Sequence, residues 1–152
     1  MKLKIEISNS AEEEIVIRCN EQNERINRIA RVIQNLINED AEMVLTLGET
    51  QYFVPYKKIL FFEMQNGKIT AHTKDKMFYS GGTLTNLEKN LPTYFVRGGK
   101  SCIINAQQVS GLAHNLTGPS KVYFNNCDKI AFTSRAYYKF LKDKIYIIRG
   151  LN

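Results

Sequence analysis

Between Met43 and Ser134 the chain is a succession of short runs, four to eight residues each, rich in β-branched and aromatic side chains. MVLTLG, QYFVP, KILFFEMQ, KITAHT and KMFYSG come first, punctuated by Gly48, Pro55, Asn66–Gly67, Lys74–Asp75 and Gly81–Gly82; CIIN, QVSGLAH, KVYFN and KIAFTS follow. Runs this short cannot make helices of ordinary length, and their composition suits a pleated, half-buried surface. Asn66–Gly67, set between two such runs, supplies the positive φ angles of a two-residue hairpin turn. Two stretches break the pattern. TLTNLEKNL places Leu84, Leu87 and Leu91 on one side of a helix capped by Thr83 and stopped by Pro92. SRAYYKFLKDKIYII starts a last helix near Arg135. The expected class is mainly β with short helices (α+β), built on antiparallel sheet.

The first forty residues have a different texture. Leu3, Ile5 and Ile7 alternate, an acidic turn follows, and Ile15, Ile17 and Cys19 alternate again, so two strands are expected. After Asn20, a candidate cap, Ile26, Ile29, Ala30, Ile33 and Ile37 fall on one helical face running to about Asn38. Residues 1–42 thus read as a β-β-α arm and residues 43–152 as the main domain. An apolar helix face needs a cover, which the main domain or a second copy of the chain would provide.

Charge divides at the same place. The formal net charge is +6, but residues 1–42 carry six Lys/Arg against nine acids, net −3, whereas residues 43–152 carry fifteen against six, net +9. A basic domain on a mildly acidic arm suits a polyanion partner, although excess charge also serves solubility alone. The three cysteines, Cys19, Cys102 and Cys127, are widely spaced and odd in number, which fits neither a disulfide framework nor a zinc site. No apolar run approaches the roughly 18–20 residues that span a bilayer, and MKLKIEISNSAEEE lacks the apolar stretch of a signal peptide. A cytoplasmic location is expected.

The stretch LPTYFVRGGKSCIINAQQVSGL is the most informative. With KKILFFEMQNGKITAHT before it and KIAFTSRAYYKFLKDKI after it, it resembles the LytTR family of bacterial DNA-binding domains. The parts that match, in order and spacing, are Ile59–Glu63, the Leu-rich helix from Leu84 to Pro92, Phe95, Arg97, Lys100, Ser101, Ile103 and Asn105, then Ser134, Arg135 and Tyr137. No single piece suffices, since R-x-x-K-S alone arises often by chance. The ordered set spans about residues 43–149. The resemblance implies a β scaffold whose loops, not a recognition helix, enter successive major grooves, and a role in transcription. Many family members carry a receiver domain before this module; forty residues cannot hold one, so a stand-alone, response regulator-like form is expected. Double-stranded DNA is the implied partner, with a homodimer through the arm and a restraining membrane-bound inhibitor as further implied partners. No cofactor and no small-molecule substrate are expected.

Site candidates follow from the residues and the match together. Arg135, where a strand gives way to a helix, can fork onto guanine O6 and N7 or clamp a phosphate. Ser134 can donate to phosphate or cap the helix. Lys100 and Ser101 follow Gly98–Gly99, whose missing side chains let a backbone come close to another chain. The tip Gln65–Asn66–Gly67–Lys68 offers two amides that can read adenine and a lysine for phosphate. Arg97 either faces DNA or pairs with Glu63, the latter preferred. Tyr137 can touch the DNA backbone, while Phe140 and Leu141 pack the last helix. Asn105 is expected to bond turn backbone, and Cys102 to be buried and inert. His72 and His114 lack companions at metal-ligand spacing, and Glu63 has no second carboxylate, so no enzyme activity is expected. The alternative to DNA is a protein-interaction module docking an acidic partner on the basic face.

Overall fold

The computed structural model of the chain describes residues 14–37 and 41–151, together with Ile5. Helix α1 spans Glu24–Ile37. Ten strands follow, β1 (Glu42–Leu47), β2 (Thr50–Pro55), β3 (Phe61–Gln65), β4 (Lys68–His72), β5 (Met77–Ser80), β6 (Phe95–Gly99), β7 (Cys102–Asn105), β8 (Val109–Ala113), β9 (Ser120–Phe124) and β10 (Ile130–Thr133). Helix α2 (Leu84–Asn90) lies between β5 and β6, and α3 (Arg135–Ile148) closes the chain. Every strand pairing is antiparallel. Seven strands form one sheet in the order β2-β1-β5-β4-β3-β7-β6, and β10-β9-β8 form a second.

The period-two pattern explains the layering. Phe62 pairs with Ala71 and Ile103, and Ala71 with Phe78, so these four project from one face of the large sheet. Leu84 and Leu91 of the α2 segment join them in one buried cluster with Leu45, Ile59, Ile69 and Phe95, and Leu87 packs against it. Phe61 and Ile104 project the other way, into a second cluster with Val122, Phe124 and Ala131 of the small sheet and Leu141 and Ile145 of α3. The order is therefore α2, large sheet, small sheet, with α3 lying against β6.

The structure departs from expectation at several points. The strand expected at Leu3–Ile7 lies outside the described residues. That expected over Ile15–Cys19 is not formed: among the described residues, 14–19 join no ladder, and alternation alone does not make a strand without an edge to join. The cap of α1 is Asn23, not Asn20; its side chain accepts from the Ile26 N–H at 3.1 Å. Phe140 stays exposed, so α3 is held by Leu141 and Ile145. Thr83 caps α2 as expected, accepting from the Asn86 N–H at 3.2 Å. Asn105 is fully buried, donating to the Ile59 carbonyl at 2.8 Å and accepting from the Gln107 N–H at 3.0 Å.

Gly98–Gly99 lies inside β6 and is buried, so the close backbone approach these residues permit is internal. A Cβ on Gly98 would stand 2.6 Å from Ile104 Cδ1. The Gly98 carbonyl accepts from the Thr133 hydroxyl at 2.7 Å and from the Ser134 N–H at 3.1 Å, which ties β10 and the start of α3 to the large sheet. Gly98→Ala should therefore lower stability by about 1–3 kcal/mol through overpacking, read as a lower urea midpoint at unchanged m-value. Gly81→Ala, with nothing within 4 Å of the added carbon, should leave the midpoint close to wild type.

Candidate nucleic-acid interface

The register brings the separate sequence candidates to one rim. The tip between β3 and β4 is a two-residue turn in which Asn66 (φ 50°) and Gly67 (φ 74°) both hold positive φ, and Gln65 opposes Lys68 across it. Two strands along, Lys100–Ser101 turns β6 into β7, and the Met64 N–H donates to the Ser101 carbonyl at 2.9 Å. At about 4.8 Å per strand spacing, the two turns sit roughly 10 Å apart, less than the width of a major groove. The Gly98 carbonyl then fixes Ser134 beside the second turn. Gln65, Asn66, Lys68, Lys100, Ser101 and Arg135 are all exposed there.

Each side chain has a definable setting. Arg135 is the first residue of α3, clear of the sheet edge. Ser134 occupies the N-cap position, but its hydroxyl makes no capping bond; its carbonyl accepts from the Tyr137 and Tyr138 N–H groups instead. Tyr137 is half-buried, its ring edge-on to Phe140 with centroids 6.4 Å apart. The Lys68 ammonium lies 5.6 Å from the centroid of the Tyr79 ring, a cation–π contact that steadies it beside the tip.

Arg97 is turned inward, and its acidic partner is Glu88 of α2 rather than Glu63. Its Nε donates to Glu88 at 2.9 Å and its Nη1 to the Lys100 carbonyl at 2.8 Å, with Nη2 3.4 Å from the Thr85 hydroxyl. One guanidinium thus clips the β6–β7 turn to α2. Glu63 is engaged by His72 at 2.9 Å, and Thr70 bonds both the Glu63 carbonyl and His72. The His72 ring also stacks on Phe61, centroids 4.2 Å apart. Sequence reasoning chose Glu63 because it stands on the strand nearest in the motif; helix packing, not motif spacing, supplies Glu88.

Burial lowers the His72 pKa from its ordinary value, outweighing the attraction of Glu63, with the Lys129 charge adding to the fall. Burial likewise pushes the Cys102 thiol up to about 12, aided by the Glu63 charge and opposed by Arg97. A thiol so shifted disfavours the reactive thiolate form.

The sequence profile of the LytTr DNA-binding domain matches residues 49–146, and the chain belongs to that family. A solved LytTr DNA-binding domain from Bacillus cereus superposes with a TM-score of 0.63 at 17% identity, covering 69% of this chain and 96% of that one. Proteins of Staphylococcus aureus strains NCTC 8325 / PS 47 and MRSA252, named uncharacterized HTH-type transcriptional regulators, are each 26% identical over 148 residues, 97% of this chain and 99% of theirs. Among the described residues the three helices are separated by strands, so no two adjacent helices form a helix-turn-helix.

Two measurements check this geometry. His72 holds a depressed folded pKa, so its contribution is fully present above the unfolded value near 6.5 and is lost as pH falls from there toward the folded value. The urea midpoint should drop between about pH 7 and pH 5.5, and His72→Gln should flatten that stretch. For the clip, a double-mutant cycle of Arg97→Ala and Glu88→Ala should give about 1 kcal/mol or less of coupling, because Glu88 is 43% exposed in its side chain. A coupling of several kcal/mol would contradict a pair screened by solvent.

Proposed function

We propose that the chain is a transcription regulator that binds double-stranded DNA sequence-specifically through loops of its β scaffold placed in successive major grooves. The meeting on one rim of the Asn66–Gly67 tip, the Lys100–Ser101 turn and Ser134–Arg135 carries this reading. Membership of a DNA-binding domain family and the regulator names of the relatives support it. Arg135 supplies the fork for guanine, and Gln65 and Asn66 the amides for adenine. Lys68 and Lys100 meet phosphates, with the Ser101 and Ser134 hydroxyls and Tyr137 as backbone contacts. Arg97 serves the surface from behind by holding the Lys100 carbonyl.

Residues 43–152 are the DNA-binding unit in this reading, and residues 1–42 the arm through which two copies pair on two half-sites. The arm's qualification is α1. Ile26, Ile29, Val32 and Ile33 of its apolar stripe are half-exposed, and Ile37 is 59% exposed. Among the described residues no helix is long and apolar enough to cross a membrane. A regulator acting on the chromosome works in the cytoplasm.

Selection of bound duplexes from a random pool, followed by titration of the winner and of random DNA, tests the reading. Arg135→Ala should cost about 1–3 kcal/mol on the selected site, about 5- to 150-fold in Kd, and much less on random DNA. Equal losses on both would reduce Arg135 to a phosphate anchor. Failure of the wild-type chain to bind any duplex at about 50 mM salt would overturn the DNA reading itself.

A further inference from the structure

One segment that the family motifs leave aside reaches the same rim. Residues 114–119 join β8 to β9, and β9 begins at Ser120, which opposes Thr133. Thr133 is the residue bonded to Gly98, so the β8–β9 loop emerges beside the start of α3, on the rim that carries Arg135. The loop is fixed in place. The Asn115 N–H donates to the Ser120 hydroxyl at 2.9 Å, and the Asn115 side-chain oxygen accepts from both the N–H and the hydroxyl of Thr117 at 3.1 Å. The His114 ring lies flat on Tyr138, one turn into α3 from Arg135, with centroids 4.0 Å apart and planes 3° from parallel. Leu116, at the tip, is 76% exposed.

Just behind the loop stands Lys121, exposed on the outer face of β9. Its partners across the two ladders are Ala113 and Phe132, so no acid faces it in the register. Lysine is a point charge on a long flexible stem, suited to a phosphate at a groove edge rather than to bidentate reading of a base. Leu116 and Thr117 project beyond it without charge.

We propose that the end of the β8–β9 hairpin is an additional DNA contact. Lys121 neutralises a phosphate, and the Leu116–Thr117 tip covers the sugar-phosphate edge next to the groove entered by Arg135. The inference rests on the DNA-binding reading above. It extends the contacted line past the family-matched loops to a hairpin whose ties to α3 hold it at a set distance from Arg135. It is independent of base recognition, so its loss is felt alike on every sequence.

The test compares Lys121→Ala with Lys74→Ala in the full chain, Lys74 being exposed in the β4–β5 turn at the opposite end of the sheet. Binding to the selected duplex and to random DNA is measured between about 50 and 200 mM salt. Lys121→Ala should reduce the slope of log K against log salt by about 1 on both duplexes, while Lys74→Ala leaves it unchanged. A hydroxyl-radical footprint of Leu116→Gly/Thr117→Gly should lose protection at one outer edge of each half-site and keep it at the centre. Thermal unfolding of each variant establishes that it is folded. An unaltered slope in Lys121→Ala, with an unaltered footprint in the loop variant, overturns the proposal while Arg135→Ala still weakens the selected site. If the wild-type chain binds neither duplex, the DNA reading falls, and this contact with it.

Discussion

One carbonyl does more than any other group to set the geometry of this molecule. Gly98 O receives the Thr133 hydroxyl and the Ser134 N–H together, which joins the last strand of the small sheet and the first turn of α3 to the edge strand of the large sheet. The joint favours a residue without Cβ, because the Ile104 side chain already fills the space above it. It also fixes groups proposed to meet DNA relative to one another. Lys100 lies two residues after Gly98 and Arg135 one residue after Ser134. Without this tie the two cations would belong to separate layers, free to shift with any sliding of one sheet on the other.

Similar ties recur along the rim. The Met64 N–H to the Ser101 carbonyl sets the β6–β7 turn against β3, whose end is the Asn66–Gly67 tip. Arg97 of β6 bonds both the Lys100 carbonyl and Glu88 of α2, and His114 lies on Tyr138. Each joins different elements of the fold, and none uses the side chains proposed to meet DNA. The exposed cations and amides therefore stand on a backbone already immobilised, and less ordering entropy has to be lost on binding than mobile loops would lose. On β3 and β4, Glu63, Thr70 and His72 satisfy one another. A polar group half-buried there costs little while its bonds are made and more once protonation of His72 alters them.

The sequence was informative where local chemistry decides the outcome. Period-two runs, the Asn66–Gly67 turn, the Thr83 cap and the Leu84–Leu91 face all became what their residue types dictate, because each depends on neighbours a few positions away. It was silent where partners come from afar. Strand β6 is not legible from its own residues, since Gly98–Gly99 looks like a loop until β7 pairs beside it. Glu88 was missed as the partner of Arg97 because only the packing of α2 on the sheet brings them together. In the arm, alternation at Ile15–Cys19 promised a strand, but no ladder among the described residues receives it. The β8–β9 loop carried a usable signal that was passed over. An Asn followed two residues later by Thr, between two alternating runs, marks a self-bonded turn, and a self-bonded turn is an ordered one.

In the proposed binding mode, the position of α3 explains why a helix need not enter the groove. In a helix-based reader the recognition helix lies along the groove and successive turns present side chains to bases. Here Leu141 and Ile145 bury the middle of α3 against the sheets, and Arg149 at its far end donates to the Val109 carbonyl, so the middle and the far end of the helix are committed to the scaffold. Only the first turn is left at the rim. What one helix would offer along its length must come from several short projections at comparable spacing, and antiparallel strands about 4.8 Å apart provide that spacing through their turns. In the proposed binding mode, reading by loops is thus a consequence of how α3 is packed. Turn sequence can then vary without disturbing either hydrophobic cluster, since both clusters lie below the rim and none of the proposed contacts is part of them.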